Sequence, residues 1–447
     1  MTKRIERTNT LAFKRYIEHS EQSTYIEVPF QMPERVEEIH VSYQVESHGD
    51  EAAKAVIDLG IRDAERVRGW SGGARQELSI GLNQATPGYL PGRLAPGDWA
   101  ILHNAYKVPA QGCTVTIEIE FTYKISRWLK GDLHTHSVHS DGTYTLEENA
   151  AMMESLGCDF IAMTDHNTIS QNLAYPRGTS VLMIPGTEFT TNYGHSNFLG
   201  VTNPMDDFRV SGISDVHEKF RVARERGAKI VLNHTHCDNC PWEWDFDVDY
   251  DWVEIWNGPW REHNRRALSW WQEQLVTGRR LVAVGGSDVH RPDSYVKHAM
   301  PCVWVWTDEK TVEGVLNGIA EGHVVITYSP DGPFATLQCG EYGIGDEVPY
   351  GHADHEVVVQ LDDLIPGDLI RLYSERGLEE ETSVDSDGGV TLMVNAMHRR
   401  FLRAEIWRNL DLADGLSMAA LTNPIYFASK EDMRSSNHEG YSMFQSV

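Results

Sequence analysis

Four short apolar runs in the middle of the chain each close on histidines or carboxylates, and this recurrence limits the folds open to it. Phe160-Ile-Ala-Met leads into Thr164-Asp165-His166, and Val181-Leu-Met-Ile leads into Pro-Gly-Thr-Glu188. Lys229-Ile-Val-Leu leads into Asn233-His234-Thr-His236, and Leu281-Val-Ala-Val into Gly-Gly-Ser-Asp288-Val-His290. Such runs read as buried strands. Apolar residues at helical spacing lie between several of them, over Leu146–Leu156, Asp215–Arg226 and Glu262–Val276. Thr145 with Glu148 three residues later makes a capping box, and Gly157 stands where that first helix should stop. Strands alternating with helices imply parallel pairing with crossovers, so a barrel is the leading architecture. In a parallel barrel the C-terminal strand ends share one rim, and polar residues far apart in sequence converge there.

The densest piece is Asp132-Leu-His134-Thr-His136-Ser-Val-His139-Ser-Asp141-Gly142. In an extended segment Asp132, His134 and His136 point to one face. Two imidazoles with a carboxylate behind them are a poor core and a good donor set for a divalent cation. His195 follows Glu188 closely in Gly-His-Ser-Asn. His139 reads as a surface or supporting histidine. Asp132 and Asp165 read as carboxylates that orient ligating imidazoles. Gly285-Gly286 would let backbone come close to the donors.

These pieces resemble the PHP (polymerase and histidinol phosphatase) family. The matching motifs are Asp-Leu-His-Thr-His, Ser-Asp-Gly, Thr-Asp-His, Gly-Thr-Glu, Asn-His and Gly-Ser-Asp-Val-His, in the family's order over residues 129–329. The flanks resemble the carbaryl-hydrolase-like branch more loosely. The resemblance implies an α/β fold: a distorted (β/α)7 barrel with N-terminal and C-terminal β-sandwich-like domains. It implies two to three divalent ions of manganese, iron or zinc. His134, His136, Glu188 and Asp288 would hold the first, and Glu188 would bridge to a second completed by His195 and His234. Asp141, His166 and His290 would hold the third. Many members have histidine where Asp141 stands, so that position is richer in oxygen here and leans toward manganese or iron.

The implied activity is a metal-dependent hydrolase of a small phosphomonoester or phosphodiester. Clustered dications ionise a bridging water near neutral pH and offset the charge that develops on the phosphoryl group. His236 could protonate a leaving group, while Arg261 and Arg291 could grip a substrate anion. The same centre could cleave a carboxylic or carbamate ester, and a non-catalytic metal-containing binding protein is a third reading. Amidohydrolases also use His-x-His on a barrel, but they commonly need a carbamylated lysine bridge, and here Glu188 stands at the bridging place.

Residues 1–128 alternate as β structure, most cleanly over Thr114–Tyr123, and 330–447 return to strands at Glu356–Leu361 and Leu369–Leu372. Three domains follow: 1–128, 129–329 and 330–447. The tail Asn437-His-Glu-Gly-Tyr-Ser reads as polar and mobile. A net charge of −27 argues against a nucleic-acid duplex as partner. No run of about 18 apolar residues is present to span a bilayer. The charged N-terminus leads into no apolar signal segment, and six scattered cysteines suggest no disulfide framework. The expectation is a cytoplasmic protein with a small-molecule substrate. Sandwich edges often pair in symmetric dimers, which leaves a homo-oligomer open. Cys237-Asp-Asn-Cys240 lacks a second Cys pair and reads as a loop near the site. The tryptophans from Trp242 to Trp271 read as packing at least as readily as a stacking surface.

Overall fold

The computed structural model describes residues 8–49, 54–82, 84–352, 355–410 and 415–429. The charged N-terminus and the polar tail at 437–442 lie outside them. The chain forms two compact units, Met1–Ile125 and Ser126–Val447. Among the described residues no helix is long and apolar enough to cross a membrane.

The first unit is built of two four-stranded antiparallel sheets. Val36–Ser47 and Cys113–Tyr123 pair at the centre of one. Tyr25–Met32 and Gly97–Asn104 pair in the other. The clean alternation of Thr114–Tyr123 has a simple cause: Val115, Ile117, Ile119 and Phe121 turn inward while Glu118 and Glu120 face solvent. Those inward residues share one core with Phe30, Trp99 and Ile101 of the second sheet.

The second unit is mixed α/β, with many strands and few helices. In chain order we label β1 (Arg127–Thr135), α1 (Leu146–Ser155), β2 (Phe160–Met163), β3 (Leu182–Thr191) and β4 (Gly194–Leu199). There follow α2 (Ile213–Glu225), β5 (Lys229–Leu232), β6 (Trp252–Asn257), α3 (Glu262–Val276) and β7 (Val282–Gly286). Strands β8 (Cys302–Thr307) and β9 (Val324–Thr327) flank α4 (Val312–Ala320). The C-terminal part adds β10 (Leu369–Ser374), β11 (Gly377–Ser383), β12 (Phe401–Asn409) and β13 (Leu416–Thr422). One sheet runs β7-β6-β5-β4-β3-β2-β1-β8-β9-β13-β12-β10-β11. The backbone at 287–289 returns to the end of β1. Asp288 N donates to His134 O at 2.9 Å, and His136 N donates to Val289 O at 3.0 Å.

Regular parallel alternation is not what this part adopts. β1-β2-β3 and β5-β6-β7 are parallel, but β4 pairs antiparallel with both β3 and β5. The cause is a tight hairpin: β3 runs on to Thr191, and Gly194 takes φ +133° to start the return strand. The three expected helices form at α1, α2 and α3. At α1 the Thr145 side chain accepts from Glu148 N while the Glu148 carboxylate accepts from Thr145 N. Trp252, Trp256 and Trp271 are fully buried in the core, so these three tryptophans serve packing.

Candidate metal centre

Every metal-type side chain anticipated from sequence comes from one end of the strands β1 to β7. His134 lies in β1 and His136 just beyond it; His166 follows β2, His234 follows β5, and Asp288 and His290 follow β7. Glu188 lies inside β3, continued beside His166 by a single parallel bridge. The β3–β4 hairpin pairs Thr190 with His195, which puts the His195 ring beside Glu188 across seven residues of sequence. That spacing makes sense only once the hairpin is seen.

Glu188 sits at the centre and is 1% exposed. Its Oε1 lies 3.4 Å from His134 Nε2, 3.4 Å from His234 Nε2 and 3.2 Å from His195 Nδ1. Its Oε2 lies 3.4 Å from His136 Nε2 and 2.9 Å from His166 Nδ1. Asp288 Oδ1 lies 3.3 Å from His134 Nε2 and 3.1 Å from His136 Nε2. Asp141 Oδ1 lies 3.6 Å from His166 Nε2 and 3.3 Å from His290 Nε2. The nine expected ligands therefore converge.

Two donors at about 2.1 Å from a shared ion stand roughly 3.0–3.4 Å apart. Most of these separations fall in or near that range. His134 Nε2, both ring nitrogens of His136 and Glu188 Oε2 are buried and make no hydrogen bond. Unpaired polar atoms of this kind are costly in a folded core. A cation shared between His134 Nε2, His136 Nε2 and Glu188 Oε2 removes that cost at these atoms, so the residues fit a cluster of divalent ions. Donor groups that fit are His134/His136/Asp288, His134/Glu188/His234, His166/Glu188/His195 and His136/Asp141/His166/His290.

The electrostatics agree. Burial opposes charge on Glu188, yet the surrounding histidines, His134 first, hold its carboxyl well below the usual range. Burial likewise opposes charge on His134, but Asp288, Glu254 and Glu188 raise its pKa well above normal. A proton and a divalent cation compete for that imidazole.

Backbone geometry also marks the site. His234 and Asp288, neither of them glycine, take φ of +29° and +55°. Non-glycine residues held at positive φ often mark functional positions. Gly286 is required sterically: a Cβ there would lie 2.3 Å from His134 Cβ and 2.7 Å from Glu254 Oε1.

The carboxylate that orients an imidazole is Glu254, which the sequence did not single out. Buried in β6, it places Oε1 2.9 Å from His134 Nδ1, and its Oε2 accepts from His234 N at 2.9 Å. Asp132 and Asp165 do something else. Asp132 accepts from the backbone N–H of His134, Ser287 and Ala299, and burial raises its pKa to about 6 against those bonds. Asp165 accepts from Ser137 N, Ser137 Oγ and Ser140 Oγ, and so holds the loop that carries Asp141. Both carboxylates brace the loops around them, Asp132 by accepting from backbone amides and Asp165 from one amide and two serine hydroxyls.

His236 turns away from the cluster toward Phe246 and Trp270, its ring centroid 6.4 and 5.9 Å from theirs. Its Nδ1 meets Thr235 Oγ1 at 2.9 Å, and burial, then Arg266, lowers its pKa. Arg261 is exposed at the N-cap of α3, and Arg291 is exposed next to His290. His139 Nδ1 meets Ser170 Oγ at 2.8 Å. Cys240, placed only in a nearby loop by its sequence, lies in a donor group with His195 and His234.

No protein-family model matches the chain, and no curated protein matches it. Among solved structures it is similar to a two-domain protein from Bacteroides vulgatus containing a predicted PHP-like metal-dependent phosphoesterase. That match has 16% identity, covers 67% of this chain and 96% of the other, and has a TM-score of 0.39. A "putative metal-dependent phosphoesterase" from Bifidobacterium adolescentis matches at 15% identity over 42% and 95% of the two chains, with a TM-score of 0.28. An amidohydrolase from Chromobacterium violaceum matches at 16% identity over 37% and 89%, also with a TM-score of 0.28. The low TM-scores leave the reading of the site to its own geometry.

Proposed function

We propose that this chain is a PHP-type metal-dependent phosphoesterase, acting on a small phosphomonoester or phosphodiester at a di- or trinuclear centre. The observation that carries the reading is Glu188, buried among five histidines with Asp288 facing two of them. We read β1–β7 as the distorted (β/α)7 barrel of residues 129–329, with 1–128 and 330–447 as flanking β domains.

His134, His136, Glu188 and Asp288 would hold one ion, and Glu188, His195 and His234 a second. Asp141, His166 and His290 would hold a third. Manganese, iron or zinc bound there would supply Lewis acidity and an ionised water. The protein's own part is to fix the donors: Glu254 orients the His134 ring, while Asp132 and Asp165 fix the backbone on either side. Arg291 and Arg261 are the candidates for gripping the phosphate oxygens. His236 would give the leaving-group proton only if its ring swung from Phe246 and Trp270 toward the cluster.

The test is turnover of p-nitrophenyl phosphate, bis(p-nitrophenyl) phosphate, and aryl carboxylate and carbamate esters, before and after demetallation. Phosphoester turnover lost to chelator and restored by manganese is expected. Unchanged turnover after full demetallation contradicts the reading, and ester turnover alone moves it to a carbonyl-centred hydrolase.

A further inference from the structure

Beside the histidines and carboxylates stands a sulfur. Cys240 is half-buried in the loop after His234, and its Sγ lies 3.7 Å from His234 Nδ1. Cys240, His195 and His234 offer donor atoms that all lie within 4.8 Å of one another. A thiolate and an imidazole bound tetrahedrally to one zinc-sized ion stand about 3.6 Å apart, given metal–sulfur and metal–nitrogen bonds near 2.3 and 2.05 Å. The observed separation matches. Cys237 Sγ lies 3.4 Å from Cys240 Sγ, yet among the described residues only Cys240 of this pair joins the histidines in a donor group.

The fold gives a reason for the placement. His234 takes its positive φ where β5 ends, and Cys237 N then donates to His234 O at 2.8 Å, closing a turn. That turn carries the loop back over the ring. His234 thus presents Nε2 toward Glu188 and Nδ1 toward Cys240.

The geometry points to Cys240 as a thiolate donor to a cation held with His195 and His234. The inference rests on the metal-centre reading above and changes its second position: a neutral imidazole binds through one nitrogen, so an ion on His234 Nδ1 would stand in place of one on Nε2 beside Glu188, and a soft sulfur changes which metal is selected. Thiolate favours zinc, ferrous iron or cobalt over manganese and magnesium, which prefer oxygen. The protein would then pair a thiophilic position with the oxygen-rich position at Asp141.

Cobalt(II) tests this without reference to turnover. The full-length protein, stripped of metal and titrated with Co(II), should show visible d–d absorption together with a near-ultraviolet sulfur-to-cobalt charge-transfer band. Cys240→Ser should lose that band while keeping Co(II) at the remaining sites, and Cys237→Ser should retain it. Wild-type protein that binds Co(II) without the band would leave Cys240 as an acceptor for His234 Nδ1–H and overturn the inference. A band that disappears in C237S but survives in C240S overturns it as well. Failure to bind Co(II) at all would overturn the metal centre itself, and this inference with it.

Discussion

The carboxylate of Glu254 meets Nδ1 of His134 at 2.9 Å, with both side chains nearly inaccessible to solvent. Its second oxygen accepts from the backbone of His234 and from Asn257 Nδ2. One carboxylate thereby fixes the tautomer of a ligand on β1 and the backbone of another ligand after β5. Removing such an outer partner typically weakens metal binding by about 10–100-fold. Glu254→Gln should show a loss of that size, and Glu254→Ala a larger one. Competition against a chromophoric chelator measures it, and affinity equal to wild type would show that His134 needs no orienting group.

A second expectation concerns the joint between the β-rich C-terminal part and α3. Arg403 is buried, donating through Nη1 to Glu405 Oε1 at 2.6 Å and through Nε to Gln272 Oε1 at 2.8 Å. Its guanidinium also lies over the rings of Trp271 and Tyr373. The other Glu405 oxygen accepts from Trp407 Nε1. Breaking one half of a buried pair strands the other charge, which costs about 3–5 kcal/mol. Glu405→Ala should lower urea stability by that amount. A change below about 1 kcal/mol would show that water or another acceptor reaches Arg403.

His298 should make stability depend on pH. It is 2% exposed, its Nε2 meets Asn149 Oδ1 at 2.7 Å, and burial lowers its pKa to about 4. Unfolding returns it to about 6.5, so between these values the unfolded chain binds the extra proton. Its contribution is therefore fully present above about pH 6.5 and is lost as pH falls toward 4. The loss is on the order of 3 kcal/mol. Urea unfolding of wild type and His298→Gln across pH 7.5 to 4.5 should show a shallower slope in the variant. Parallel slopes would mean that His298 takes up its proton in the fold as readily as in the unfolded chain.

The donors were legible because ligating residues must be polar and must stand at strand ends, where burial of the preceding run gives them away. The helix at Leu146 was legible for a local reason as well, since Thr145 and Glu148 cap it with their own side chains. The β4 strand was not, because Gly194–Leu199 is short and its direction is set by a hairpin rather than by its composition. Glu254 was hidden inside Trp-Val-Glu-Ile-Trp, where one acid in an apolar run says nothing about what it faces. Asp132 and Asp165 looked like imidazole partners because they flank histidines, but their partners are backbone amides and, for Asp165, serine hydroxyls brought in by the fold. Cys240 reaches its neighbours only through the turn at His234.

The most direct test is anomalous X-ray scattering from crystals grown with manganese or zinc, collected on both sides of the metal's absorption edge. The expected result is strong peaks about 2.0–2.3 Å from donor atoms of Glu188, with His134, His136 and Asp288 around one of them. A metal-loaded crystal with no anomalous density beside Glu188 would contradict the account.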